Sequence, residues 1–224
     1  MIIKSNPLKM LIHQIDSMFI DLEEVEDEVV LNEIYNAALF RMEECFSKIS
    51  NKYYHNDQDV IFDPLHVGQW TMFLYYIGNE ASKRGLRTLS DEVYCLSKII
   101  SSADIYYEVE MPQIWFFDHP QGSVMGRGVY SDYFTFSQGC TVGNNNGKYP
   151  MFGKHVSMLS NSKVIGDCKI GNYVIFAANS YVIDCDIPSY SIVFGQSPNI
   201  VVKPITKEKY QEITGSIFIY SDKE

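Results

Sequence analysis

Apolar residues recur at three- and four-residue intervals through the first part of the chain. Leu11, Ile15, Met18, Leu22, Val25 and Val29 form one such stripe, the spacing of a helix with one face turned to a core. The acidic run "DLEEVEDE" inside it reads as the solvated face of the same helix. After a break at "SNKYYHNDQDVIFDP", the segment "LHVGQWTMFLYYIGNEASKRG" predicts an apolar helix ended by Gly85. "TLSDEVYCLSKIISSADIYYEV" predicts one more, with Ser90 as its N-cap. Residues 1–111 are therefore expected to form an α-helical domain.

From about residue 112 the helical period disappears and a six-residue beat replaces it. Phe152, Met158, Val164, Ile170, Phe176 and Val182 are apolar and spaced by six, and Val156, Ser162, Val174 and Ser180 follow four positions after several of them. An earlier block, Met125, Ser131 and Ser137 leading Val129, Thr135 and Thr141, beats in another phase. The phase changes at "GNNNGKYP", Gly143 to Pro150, which is expected to loop out. Six residues to a flat face and three faces to a turn describe a coiled parallel β-helix, because one coil cannot bury its apolar face alone. An antiparallel sandwich accounts for glycines at turns but not for six anchors in phase. The expected class is α+β: a helical N-terminal domain, a parallel β-helix over 112–205 and a C-terminal tail over 206–224.

Composition narrows the partners. The 224 residues carry a formal net charge of -10, so a long phosphate backbone is an unsuitable partner and no nucleic-acid binding is expected. No 18-residue apolar run and no signal peptide are read in the sequence, which predicts no membrane span. The five cysteines, at 45, 95, 140, 168 and 185, are odd in number and scattered without a CxxC pair. They point to a reducing, cytoplasmic setting and to no structural metal.

The repeat "VIGDCKIGNYVIFAANSYV" resembles the left-handed β-helix of the hexapeptide acyltransferases. The order of a helical half, then "D..P....GRG....D", then "QGCTVGNNNGKYP", then coils, resembles the serine O-acetyltransferase branch. The resemblance implies homotrimers or dimers of trimers that bind acetyl-CoA between coils and use a histidine to deprotonate the acceptor hydroxyl. It places the family's catalytic aspartate at Asp118 and its histidine at Tyr133, so the base must be found elsewhere.

"FFDHPQGSVMGRG" offers one: His119 stands beside Asp118 where the apolar run ends, and Asp132 stands near the lost histidine position. An imidazole titrates near neutral pH, so it can take the acceptor's proton and return it to the leaving thiolate. The other reading is that His119 merely ends the aromatic run. His155, expected to face outward in "FGKHVS", is the rival base, whereas His13 and His55 read as surface residues. On the resemblance, Asp63 and His66 in "DPLHVGQW" fall beside the acceptor pocket; equally, Asp63 is an N-cap with Pro64 at the first helical position. Tyr133 and Tyr149 occupy family histidine positions and are candidates to shape the acceptor site. Gly143, Ser160 and Ala178 match positions whose backbone meets the pantetheine arm of the donor, and Lys203 is a candidate for its phosphates. The expected activity is acetyl-CoA-dependent O-acetylation of a small hydroxyl, L-serine first. A sugar or surface-polysaccharide precursor is the alternative acceptor, and a β-helix assembly scaffold the non-enzymatic alternative.

Overall fold

The computed structural model describes residues 1–19, 28–56, 58–215 and 217–219. The acidic run, with Leu22 and Val25, lies outside the described residues except for Glu28. Contacts divide the chain into two compact units, Met1–Ser102 with Tyr106–Glu108, and Ala103–Ile105 with Val109–Glu224.

The first unit contains β1 (Ile2–Ile3), α1 (Pro7–Met18), α2 (Glu28–Phe46), β2 (Ile61–Phe62), α3 (Val67–Lys83) and α4 (Arg87–Ser101). Asn6 caps α1 by accepting from Lys9 N, with Pro7 in the first turn. α3 is buried from Gln69 to Ala81, and Trp70 stacks on Phe73 at 4.9 Å at the centre of the core. The buried Glu80 carboxylate is held ionised by Arg84 and Arg41, which outweigh its desolvation. Ser90 is not an N-cap: α4 starts at Arg87, and Ser90 Oγ, facing the core, donates back to Leu86 O at 2.8 Å. Gly85, with a left-handed φ of 76°, ends the preceding turn as its position suggested.

The second unit is a left-handed parallel β-helix. Its strands are β3 (Asp104–Ile105), β4 (Trp115–Phe117), β5 (Val124–Met125), β6 (Phe134–Phe136), β7 (Thr141–Gly143), β8 (Met151–Phe152), β9 (Val156–Met158), β10 (Lys163–Ile165), β11 (Lys169–Ile170), β12 (Val174–Phe176), β13 (Tyr181–Ile183), β14 (Ser191–Phe194) and β15 (Val201–Pro204). The first face stacks β3, β5, β7, β10 and β13; the second stacks β4, β6, β9, β12 and β14; the third is β8 on β11, extended by bridges Val129–Met151 and Ile170–Ile187. β15 turns back antiparallel to β14, and α5 (Lys207–Thr214) follows within the segment read as a tail.

All six anchors of the beat, and Val156, Ser162, Val174 and Ser180 with them, are buried inside the coils. Lys163 pairs with Tyr181 eighteen residues on but with Thr141 twenty-two residues back. Those four extra residues are the insertion that shifts the phase. The earlier block keeps the expected register only in part: Met125 and Thr135 are buried. Val129 is exposed and Ser131 and Ser137 are half-buried, because Tyr130, Phe134, Phe136, Cys140 and Val142 fill the interior there. Gly126 of "GRG" is required by close approach: a Cβ would stand 2.5 Å from Val142 O.

Candidate active site

The three edges of the β-helix hold different chemistry. On the first, between the second and first faces, β4 ends as Asp118 N donates to Phe136 O at 3.0 Å, and the chain turns through His119 with φ 50°. His119 Nε2 lies 3.6 Å from Asp118 Oδ1, and the two side chains are 79% and 68% exposed. That separation is too long for a hydrogen bond. Later coils stack on this edge through Gly139 N to Gln121 O (3.0 Å), Asn161 N to Gln138 O (2.8 Å) and Asn179 N to Ser160 O (3.0 Å). Ser160 and Ala178 thus lie on the His119 edge, in neighbouring coils.

The edge between the third and second faces carries Tyr133. Asp132 Oδ1 accepts from Ile114 N at 3.2 Å, and its other oxygen is 3.8 Å from Lys154 Nζ. Because Trp115 pairs with Phe134 and Phe117 with Phe136, Asp132 sits where these strands begin and Asp118 where they end. The structure does not bring Asp132 to His119 within one chain. Beside Asp132, four rings form a ladder. Tyr133 stacks on His155 at 4.4 Å and 3°, His155 on Tyr173 at 4.3 Å and 9°, and Tyr173 on Tyr190 at 5.0 Å and 7°. All four have positive φ, between 57° and 66°. A left-handed residue costs on the order of 1–2 kcal/mol, and stacking worth about 0.5–1.5 kcal/mol per pair offsets part of that. His155 therefore does not face outward as expected; it is 5% exposed.

The remaining edge carries the inserted loop. Asn145 and Lys148 close it by mutual backbone hydrogen bonds of 3.1 and 2.9 Å. Asn145 Nδ2 donates to Asp184 Oδ2 at 2.5 Å, and Lys148 pairs with Asp167 at 2.9 Å. That pairing raises the Lys148 pKa and lowers that of Asp167. The loop lies against the coils here rather than standing away from them. With Lys169, Cys185 and Asp186 it borders an open cleft of about 720 Å³. Gly143, grouped in the sequence with Ser160 and Ala178, is at the opposite end of the first face from them. Tyr149 is exposed at the loop's end. Lys203, on β15, has its Nζ 5.6 Å from the Phe194 ring centre.

Asp63 and His66 belong to the helical unit. His66, not Asp63, caps α3: its Nδ1 accepts from Gln69 N at 3.3 Å, so Pro64 is outside the helix. Burial lowers the His66 pKa. Asp63 accepts from Leu65 N and pairs with Lys4 at 3.0 Å, the main cause of its lowered pKa. Both side chains spend polar atoms on local structure. Lys154, Tyr173, Tyr190 and Tyr210 are the residues that sequence reasoning missed. The recurrence of an aromatic ring once per coil was the available signal. Among the described residues no group of three metal-ligating side chains converges, and no helix is long and apolar enough to cross a membrane.

Helices are followed in the chain by hexapeptide coils that carry one inserted loop. No protein-family model matches the chain. It is 28% identical over 141 residues to the serine acetyltransferase of Staphylococcus epidermidis, covering 61% of this chain and 66% of that protein. It is 33% identical over 111 residues to that of Staphylococcus aureus, covering 47% and 52%. The chain therefore spans between about half and two thirds of the length of the curated relatives it matches. Among solved structures, a serine acetyltransferase complex with CoA superposes with a TM-score of 0.65 at 16% identity, covering 88% of this chain and 83% of that one. The Neisseria gonorrhoeae serine acetyltransferase in complex with serine gives 0.64 at 22%, covering 90% and 85%. The chain is serine acetyltransferase-like in sequence and in fold.

Proposed function

We propose that the chain transfers the acetyl group of acetyl-CoA to the hydroxyl of a small acceptor, L-serine being the first to test. Likeness to serine acetyltransferases supports the reaction type. One observation carries the residue assignment: the exposed Asp118–His119 pair stands on the same edge as Ser160 and Ala178. His119 takes the acceptor's proton as its oxygen attacks the thioester carbonyl. Backbone N–H groups of the edge stabilise the oxyanion. Collapse breaks the C–S bond, and the imidazolium returns the proton to the thiolate, giving an ester and CoA. Asp118 stabilises the imidazolium. His155 is closed in by rings on both faces and is 5% exposed.

A homotrimer or dimer of trimers acting in the cytoplasm fits this reading. Replacement of the family histidine by the buried Tyr133 favours a second acceptor class, a sugar hydroxyl. Thiol release from acetyl-CoA, followed across amino-acid and sugar acceptors, tests both. Serine-dependent release is the expected result. If no acceptor accelerates release and CoA fails to raise the melting temperature, the scaffold reading replaces this one.

A further inference from the structure

The ladder of Tyr133, His155, Tyr173 and Tyr190 is covered by the chain's own C-terminal segment. Ile205 N donates to Tyr190 O at 2.8 Å, which ties the chain to the last rung before α5 begins. α5 is firmly ended on both sides: Thr206 Oγ1 accepts from Lys209 N, and Gly215 closes it at φ 67°. Its one buried residue, Tyr210, sets its ring edge-on to Tyr173 at 5.5 Å and to His155 at 6.3 Å. Lys207 Nζ is 5.5 Å from the Tyr173 ring centre. Phe218, also buried, meets Tyr133 edge-on at 5.2 Å. Every rung from Tyr133 to Tyr173 thus has a ring or a cation from this segment on it.

We infer that α5 and Phe218 form a strap that seals the Tyr133 and His155 rungs of this edge and leaves the acceptor to be bound on the His119 edge. The strap uses a built helix with two aromatic anchors, and its target is a column of rings whose faces are already occupied by one another. Among the described residues of this edge Tyr133 and His155 are buried, Tyr173 is half-buried and Tyr190 is 44% exposed, so the one imidazole here is closed off, whereas the His119 side chain on the other edge is 79% exposed. The sealing itself does not depend on the reaction; the statement about the acceptor rests on the acetyl-transfer reading.

Carbethoxylation by diethyl pyrocarbonate, located by peptide mass spectrometry in the intact chain, tests both parts. His119 should react freely and His155 at least about tenfold more slowly, because reaction at His155 requires the strap to open. The paired substitution Tyr210→Ala and Phe218→Ala in the full-length chain should bring the His155 rate to within about threefold of that of His119. Saturating acceptor with CoA should protect His119 and leave His155 unaffected. Equal reactivity of the two histidines in the intact chain would overturn the strap even if the substituted chain does not fold, and so would an unchanged His155 rate in a folded variant. Protection of His155 by acceptor would overturn the placement of the acceptor. If no acceptor is acetylated, the catalytic reading fails, while His155 reactivity still decides the strap.

Discussion

At the scale of single residues, His119 is exposed and His155 buried, and the two substitutions are expected to act differently. His119→Ala should lower kcat on the order of 10²–10⁴-fold, the cost of losing a general base. Its exposed side chain gives no reason for the melting temperature or CoA affinity to move. His155→Ala should do the reverse at the level of folding. Removing a ring stacked on both faces opens a cavity worth on the order of 2–4 kcal/mol, read by chemical denaturation. A third histidine reports through pH. His66 accepts a backbone N–H while neutral, and burial lowers its pKa below the ordinary value of about 6.5. Its stabilisation is therefore complete above that value and is lost as pH falls toward the lower, folded-state pKa. Stability curves measured between neutral and mildly acid pH should show this loss in the parent chain. They should be flatter in His66→Asn, which keeps a capping side chain that does not titrate. The sequence could single out His119 because it ends an apolar run. It could not place His155, because the apolar beat marks which residues face inward along a strand and is silent about corners with positive φ.

At the scale of elements, the inserted loop is fixed by contacts of two kinds. Asn145 to Asp184 joins a neutral amide to a carboxylate, and Asp184 also accepts from Asp167 N at 2.8 Å. Lys148 to Asp167 is an exposed ion pair and weakens with salt. Asp184→Ala should therefore loosen the loop by on the order of 1–3 kcal/mol, seen as faster hydrogen exchange at Asn145 and Lys148. Saturating CoA should slow exchange in the same loop. If CoA leaves it unchanged, the loop is not part of the donor site. The coils after the loop were legible because each of their faces is built from a small set of buried apolar residues at fixed spacing. The coils before it were legible only at Met125 and Thr135, because Tyr130, Phe134 and Phe136 fill the interior where the six-residue template put Val129, Ser131 and Ser137. The strap was read as a tail for a related reason. An eight-residue helix with a single buried residue leaves almost no periodic signal.

At the scale of the molecule, Asp132 and His119 stand at opposite ends of one face. Only a neighbouring copy could set an Asp132 beside His119. Sedimentation should accordingly show a trimer or a dimer of trimers, and a dilute monomer with full activity would exclude any shared site. The reversal of β15 has a consequence of another kind. A stack of parallel strands has no intrinsic end: the last coil offers unpaired N–H and C=O groups to the first coil of another molecule, and such joining repeats without limit. Antiparallel β15 occupies that position on the second face, and it carries a charged Lys203 and a Pro204 that has no N–H to donate. Antiparallel pairing there takes the place a further parallel strand would need on β14. A chain lacking Val201–Pro204 should grow into filaments that scatter light increasingly with concentration, while the circular dichroism of the coils persists.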